Sequence, residues 1–231
     1  MKRCIVGSLM IAALATASAL ATQIKVGNSF GPHLSGTGGE FTLVAVGLDL
    51  SGYAAAASGI ASTAGSPTFQ SFCLENSTPP EYLNLNTTYN ATISTKAVNG
   101  GVGPGGDPIA VGTRWLYSQF AAGTLAGYNY TGNRTLSAGL LQNAIWWLEG
   151  EGGLAYNPGN AFMLAAVTHF GSPAAAQADG AAVYGVYALN LTTLNGALAQ
   201  DQLYFRPVPD NAFTLILLGA ALASLLLLRR R

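Results

Sequence analysis

Cysteine is scarce in this chain, with Cys4 and Cys73 the only two. Cys4 lies ahead of an N-terminal apolar run that reads as an export signal, so the mature chain is expected to keep Cys73 alone. That excludes an internal disulfide framework. Histidine is as scarce, limited to His33 and His169. No His, Cys, Asp or Glu spacing of the kind a zinc site uses stands out, and neither a metal nor another cofactor is expected. Charge is thin as well: charged residues make up 9% of the chain, and from Thr22 to Asp210 the bases are Lys25, Lys96, Arg114, Arg134 and Arg206. Ten acids stand against them, so this stretch carries a net charge of minus five. With no basic stripe and no aromatic-basic interleaving, nucleic acid is excluded as a partner. Glycine abounds, yet the run NGGVGPGGDP at 99–108 lacks the spacing of a dinucleotide-binding turn.

The two ends are more informative. Residues 1–21 have the three zones of a secretory signal: Lys2 and Arg3, an apolar run from Ile5 to about Leu14, and small residues ending Ala19-Leu20-Ala21. Cleavage is expected after Ala21, with Ala17-Ser18-Ala19 as an alternative frame two residues earlier. The expected partners in export are the Sec translocon and signal peptidase. At the other end Ala212 to Leu228 is apolar except for Thr214, Gly219 and Ser224, and Arg229-Arg230-Arg231 follows at once. Seventeen helical residues reach roughly 25 Å, the lower limit of a membrane span, so a transmembrane helix is expected over about 212–228. The arginines would hold their end in the cytoplasm and leave the body outside.

Just ahead of that stretch stands Pro207-Val208-Pro209-Asp210-Asn211. The order of short motif, apolar helix and basic tail over 207–231 resembles the PEP-CTERM sorting signals, in the variant that begins Val208-Pro209-Asp210. The resemblance implies a membrane-embedded exosortase that recognises the motif and passes the protein to the cell surface or its polysaccharide matrix. The variant usually has Gly where this chain has Ala212.

Between the ends, residues 22–206 suffice for one extracytoplasmic domain. Glu40 to Leu50 is rich in strand formers and bounded by glycines, and reads as a largely buried strand. Ser51 to Ser66 reads as a small-residue linker. Thr68 to Leu74 reads as a short strand and Tyr82 to Lys96 as one or two more. The middle turns helical: Thr113 to Ala122 with Gly123 as its stop, a helix from an N-cap at Ser137 to Glu149, and Asn160 to Phe170 after a Pro158-Gly159 turn. Strands return over Ala182 to Leu191 and Gln202 to Arg206. The fold class expected is α+β, a β-sandwich or barrel with an inserted helical segment at about 113–170, plus the C-terminal transmembrane helix.

An unpaired thiol in an oxidising compartment needs a reason. Cys73 is a buried small hydrophobe, or pairs between chains, or is committed to other chemistry. Gln142, Trp146 and Glu149 fall at i, i+4 and i+7 of the second helix and form one stripe, beside a core face of Leu141, Ala144, Ile145 and Leu148. Gln142 can therefore point toward a strand bearing Cys73, with Trp146 excluding water. Phe72-Cys73-x-Glu75 followed by Gln142-x-Ala144-Ile145-Trp146 resembles the thioester domains of bacterial surface adhesins, and departs from them at Leu141, where Thr is common. The resemblance implies an internal thioester between Cys73 and Gln142 formed with loss of ammonia, surrounded by Phe72, Glu75, Ala144, Ile145 and Trp146.

Other catalytic readings lack support. His33 and His169 have no motif context as a base for Cys73, and Glu149 and Glu151 at i,i+2 point apart. No catalytic residues are assigned, and the chain is not expected to be an enzyme. The expected function is that of an exported cell-surface or matrix protein, held at the membrane and then sorted through its C-terminus. Within that, it is either a covalent adhesin with a nucleophile-bearing surface or extracellular polysaccharide as target, or a structural, non-covalent matrix protein with an inert Cys73.

Overall fold

A computed structural model describes residues 22–27, 33–35, 38–57, 67–76, 82–99, 105–181 and 183–206. The signal segment 1–21, the Val208-Pro209-Asp210 motif and the apolar run 212–228 lie outside the described residues. Among the described residues no helix is long and apolar enough to cross a membrane.

The fold is α+β. Among the described residues nine strands, β1 (Thr22–Gly27), β2 (His33–Ser35), β3 (Gly38–Val46), β4 (Thr68–Ser71), β5 (Thr88–Ser94), β6 (Lys96–Ala97), β7 (Asp107–Pro108), β8 (Val186–Thr192) and β9 (Leu198–Phe205), flank a helical stretch. That stretch holds α1 (Val111–Ala121), α2 (Arg134–Leu148), a 3-10 turn at Glu151–Gly153, α3 (Ala161–Phe170) and α4 (Pro173–Ala176). Seven strands form one antiparallel sheet in the order β2-β3-β1-β5-β8-β9, with β4 also beside β3, and β6 and β7 make a separate pair.

One edge detail decides the site. Past Ser71 the chain of β4 stays extended and runs beside β9: Leu203 N–H donates to Phe72 C=O at 3.0 Å, Leu74 N–H to Asp201 C=O at 3.0 Å, and Cys73 bridges Gln202. β9 is therefore bonded on one side to β8 and on the other to the continuation of β4. This ladder links β9, at one end of the strand order, to the continuation of β4, which lies beside β3 near the other.

Local sequence explains the elements. β1 alternates, with Ile24 and Val26 buried and Lys25 exposed, the two-residue period of a strand with one face on the core. β3 is buried over most of its length, as a strand covered on both faces must be. Phe72 stands edge-on to Phe120 at 5.0 Å between ring centres, and Phe69, Tyr53 and Tyr204 extend that aromatic core along the sheet. α2 packs on β2 and β3. Its first residue, Arg134, is buried and pairs with buried Glu40 of β3 at 2.8 Å, while Tyr128 donates its hydroxyl to the same carboxylate.

Several boundaries differ from the sequence reading. α2 starts at Arg134 rather than after Ser137, because Asn133 is its N-cap and accepts from Leu136 N–H. β1 and β2 were not foreseen, being short and rich in polar residues. β3 ends at Val46, where Gly47 turns at φ 78°, and β8 starts only at Val186, after Tyr184 and Gly185 take positive φ. The strand expected from Tyr82 begins at Thr88, since Asn86 at φ 63° makes a turn. In the expected linker, Tyr53 and Ala57 are buried rather than solvated.

Candidate functional site: the Cys73 and Gln142 contact

The ladder between β3 and β4 pairs Val44 with Thr68, Leu43 with Phe69, Thr42 with Gln70 and Phe41 with Ser71. Continued in register, it would set Gly39 opposite Cys73. The carboxamide of Gln142 occupies that place instead. Cys73 N–H donates to Gln142 Oε1 at 3.0 Å, Gln142 Nε2 donates to Cys73 C=O at 2.8 Å, and Gly39 N–H donates to the same Oε1 at 3.4 Å. One side-chain amide thus serves as a missing strand residue, pairing backbone groups whose burial would otherwise be costly.

Two glycines make room for it. Gly39 takes φ 127°, a conformation that residues with side chains rarely adopt, and in it its N–H meets the glutamine. At Gly38 an added Cβ would overlap the Trp146 ring and Gln142 Cγ, so the bare backbone lets α2 lie directly on the strand. Trp146 is 6% exposed and Gln142 1%, which keeps water from the contact.

The sulfur faces β9. Gln202 Nε2 donates to Cys73 Sγ at 3.1 Å, and Sγ lies 3.7 Å from Gln200 Oε1, as donor to it. Burial pushes the Cys73 thiol well up, opposed by the Gln202 hydrogen bond and reinforced by the negative charge of Glu75, so it is held as a neutral thiol. Glu75 and Asp201 form a buried acid pair: Asp201 N–H donates to Glu75 Oε2 at 2.8 Å, and the Asp201 carboxylate accepts from Val98, Asn99 and Leu191 N–H. Desolvation raises both, so that at least one proton stays with the pair at neutral pH.

Of the residues singled out from sequence, Cys73 and Gln142 are in direct contact, Trp146 covers Gln142, and the Glu75 carboxylate bonds Asp201 of β9. Phe72, Ala144 and Ile145 are fully buried in the core. His169 is stacked on Trp115 at 4.3 Å, and His33 sits opposite Thr135 on α2. Glu149 accepts from Ala110 N–H, and burial pushes its carboxyl to about 8; Glu151 accepts from Asn76 N–H. Among the described residues no three His, Cys, Asp or Glu converge as a metal site.

Sequence reasoning passed over Gln200, Asp201, Gln202 and Gly39. One signal was present: three consecutive polar residues in the middle of the strand-like LAQDQLYF, all buried. A buried polar run must be matched to partners, and here these are Cys73, Glu75 and the backbone of neighbouring strands. Comparison of the chain with protein-family models, curated proteins and solved structures finds no match in any of the three.

Proposed function

We propose that this chain is an exported surface protein whose body forms an internal thioester between Cys73 and Gln142. The observation that carries the reading is the seating of the Gln142 carboxamide on Cys73, its oxygen held by two backbone N–H groups. Thioester formation joins Sγ to Cδ, breaks the Cδ–Nε2 bond and moves the thiol proton to the departing nitrogen as ammonia. A neutral amide is a poor electrophile, so alignment and charge stabilisation must supply the rate. Cys73 N–H and Gly39 N–H aim at the atom that becomes the oxyanion, the arrangement that stabilises tetrahedral intermediates of acyl transfer. Burial then shields the product from hydrolysis until a nucleophile on a target surface attacks it. Resemblance to adhesin thioester domains through Phe72-Cys73-x-Glu75 and Gln142-x-Ala144-Ile145-Trp146 supports the same reading.

The ends support export and sorting: the secretory pattern of 1–21, then Val208-Pro209-Asp210, the apolar run 212–228 as a membrane helix, and the terminal arginines, with an exosortase-type protease as partner. The joined ladders of β9 support a small closed barrel with the helical segment inserted between its strands. A second reading, a structural and non-covalent matrix protein, is favoured by one observation: Gln142 Nε2 is bonded to Cys73 C=O, a complete hydrogen-bonding role without chemistry.

Intact mass of the purified mature protein separates the two. The covalent reading expects one ammonia less than the sequence mass, restored to full mass in Cys73→Ala, and a methylamine adduct that frees the thiol. Full mass with a thiol that alkylates on unfolding leaves the structural reading. Deleting 213–231 should move the protein from membrane to soluble fractions; identical fractionation overturns the anchor.

A further inference from the structure

The proposed thioester leaves one side of the sulfur unexplained, and that side is built from β9. Gln200 and Gln202 are two residues apart on one strand, so both point to the face carrying Cys73. Gln202 is fully buried and Gln200 2% exposed. The Gln202 amide places Nε2 at 3.1 Å from Sγ and also donates to Asp201 C=O at 3.3 Å, while its Oε1 has no hydrogen-bond partner. Burying an amide oxygen without a partner is unfavourable, and a packing role would be filled at less cost by an apolar side chain. What the buried amide does supply is a fixed N–H aimed at sulfur.

Resting on the thioester reading, we propose that Gln202 is a catalytic residue of that chemistry, donating to Cys73 Sγ as it leaves, with Gln200 Oε1 aligning the thiol proton. In opening by an amine, the nitrogen bonds to Cδ of residue 142, the Cδ–Sγ bond breaks, and one proton passes from nitrogen to sulfur. Negative charge grows on sulfur before that proton arrives. In a dry site it has no water to stabilise it, and among the described donors Gln202 Nε2–H reaches it. A hydrogen bond to a developing charge is stronger than one to a neutral thioester, so it lowers the barrier more than it stabilises the ground state. The same donor acts in reverse during closure, stabilising the negative charge that develops on sulfur as the thiol proton moves toward Nε2 of Gln142.

The experiment follows methylamine opening of the full mature chain by mass and thiol release, in wild type, Gln202→Met, Gln202→Glu and Gln200→Met. Methionine matches glutamine in length and lacks the N–H. Gln202→Met is expected to open about tenfold more slowly, on the scale of one charge-assisted hydrogen bond, with its unfolding midpoint retained. Gln202→Glu adds a readout that packing cannot mimic. Its rate relative to wild type should approach unity at low pH, where the introduced carboxyl donates to sulfur, and fall as that group ionises. Glu75 and Asp201 face the site in both proteins, so each rate is compared with wild type at the same pH, and Gln202→Glu in a Glu75→Gln background separates the introduced carboxyl from the pair. An unchanged rate in Gln202→Met, or a ratio for Gln202→Glu that is flat with pH, overturns the role of Gln202. Should Gln202→Met fail to fold, the pH profile of Gln202→Glu decides alone. A wild-type chain of full mass sinks the parent thioester reading instead, and this role with it.

Discussion

Helix α2 touches β3 at two places that solve one problem with opposite chemistry. At the helix start Arg134 and Glu40 meet as a buried ion pair, reinforced by Tyr128 and by donation from Arg134 to the Ala56 and Tyr130 carbonyls. Two turns on, Gln142 makes contact at Gly39 and Cys73 through a neutral amide. The ion pair costs much desolvation and repays it only through near-complete hydrogen bonding, so it orients the helix and does nothing else. The amide costs less to bury, carries no charge, and sits beside a nucleophile. On the proposed thioester reading the two tasks are separated, with charge holding the helix and a neutral group left to react.

The comparison is broken most severely at the charged contact. Arg134→Met leaves Glu40 buried with only Tyr128 as a side-chain donor and should destabilise the protein by about 3–5 kcal/mol, read from denaturant unfolding. On the covalent reading proposed above, the ammonia deficit should shrink with it, since α2 loses its anchor on β3. A stability within about 1 kcal/mol of wild type, on the scale of an exposed pair, would show that the ion pair does not hold the helix.

A smaller effect isolates the neutral contact. Gly38→Ala drives a methyl into the Trp146 ring and Gln142 Cγ, and overpacking of this kind costs about 1–3 kcal/mol. Its loss of the ammonia deficit should exceed what its modest instability explains, because the clash falls on the reacting side chain. Normal thioester content in this variant would show that the close approach of strand and helix is dispensable.

The smallest change of structure tests a titration away from both contacts. Burial lifts the Glu149 carboxyl from 4.5 to about 8, so the folded chain keeps this proton where the unfolded chain has lost it. Stability from this group is therefore fully present below 4.5 and is lost as pH rises toward 8, a downward slope of unfolding free energy across that window. Glu75, raised by burial and by Asp201, adds to the slope in the same direction. Glu149→Gln should match the wild-type trend below pH 4.5 and flatten the decline between 4.5 and 8, so that the variant gains relative to wild type as pH rises to neutral. An unaltered profile would place the slope elsewhere.

Legibility from sequence divided along the same line. The pairing of Cys73 with Gln142 came from the resemblance carried by Phe72-Cys73-x-Glu75 and Gln142-x-Ala144-Ile145-Trp146, and the helical spacing of Gln142, Trp146 and Glu149 made it geometrically reasonable; the structure brings the two residues into contact. The helical stretch between strands was readable through caps such as Asn160 and stops such as Gly123 and Gly171. The ion pair was not, since Glu40 and Arg134 are 94 residues apart and nothing local marks either as buried. Nor was the β9 glutamine pair, whose polar side chains look solvent-facing until the strand is enclosed.

By itself the sequence determined part of the composition of the site: a single cysteine in the body and a glutamine on a largely apolar helix. Those features depend on side-chain chemistry and on periods of two and 3.6 residues, which are local. Only the tertiary structure decided that β4 runs on beside β9, that Gln142 replaces the next ladder pair, and that Gln202 rather than a histidine meets the sulfur. Register between strands over a hundred residues apart is set by the collective burial of the core, and no short window of sequence contains that information.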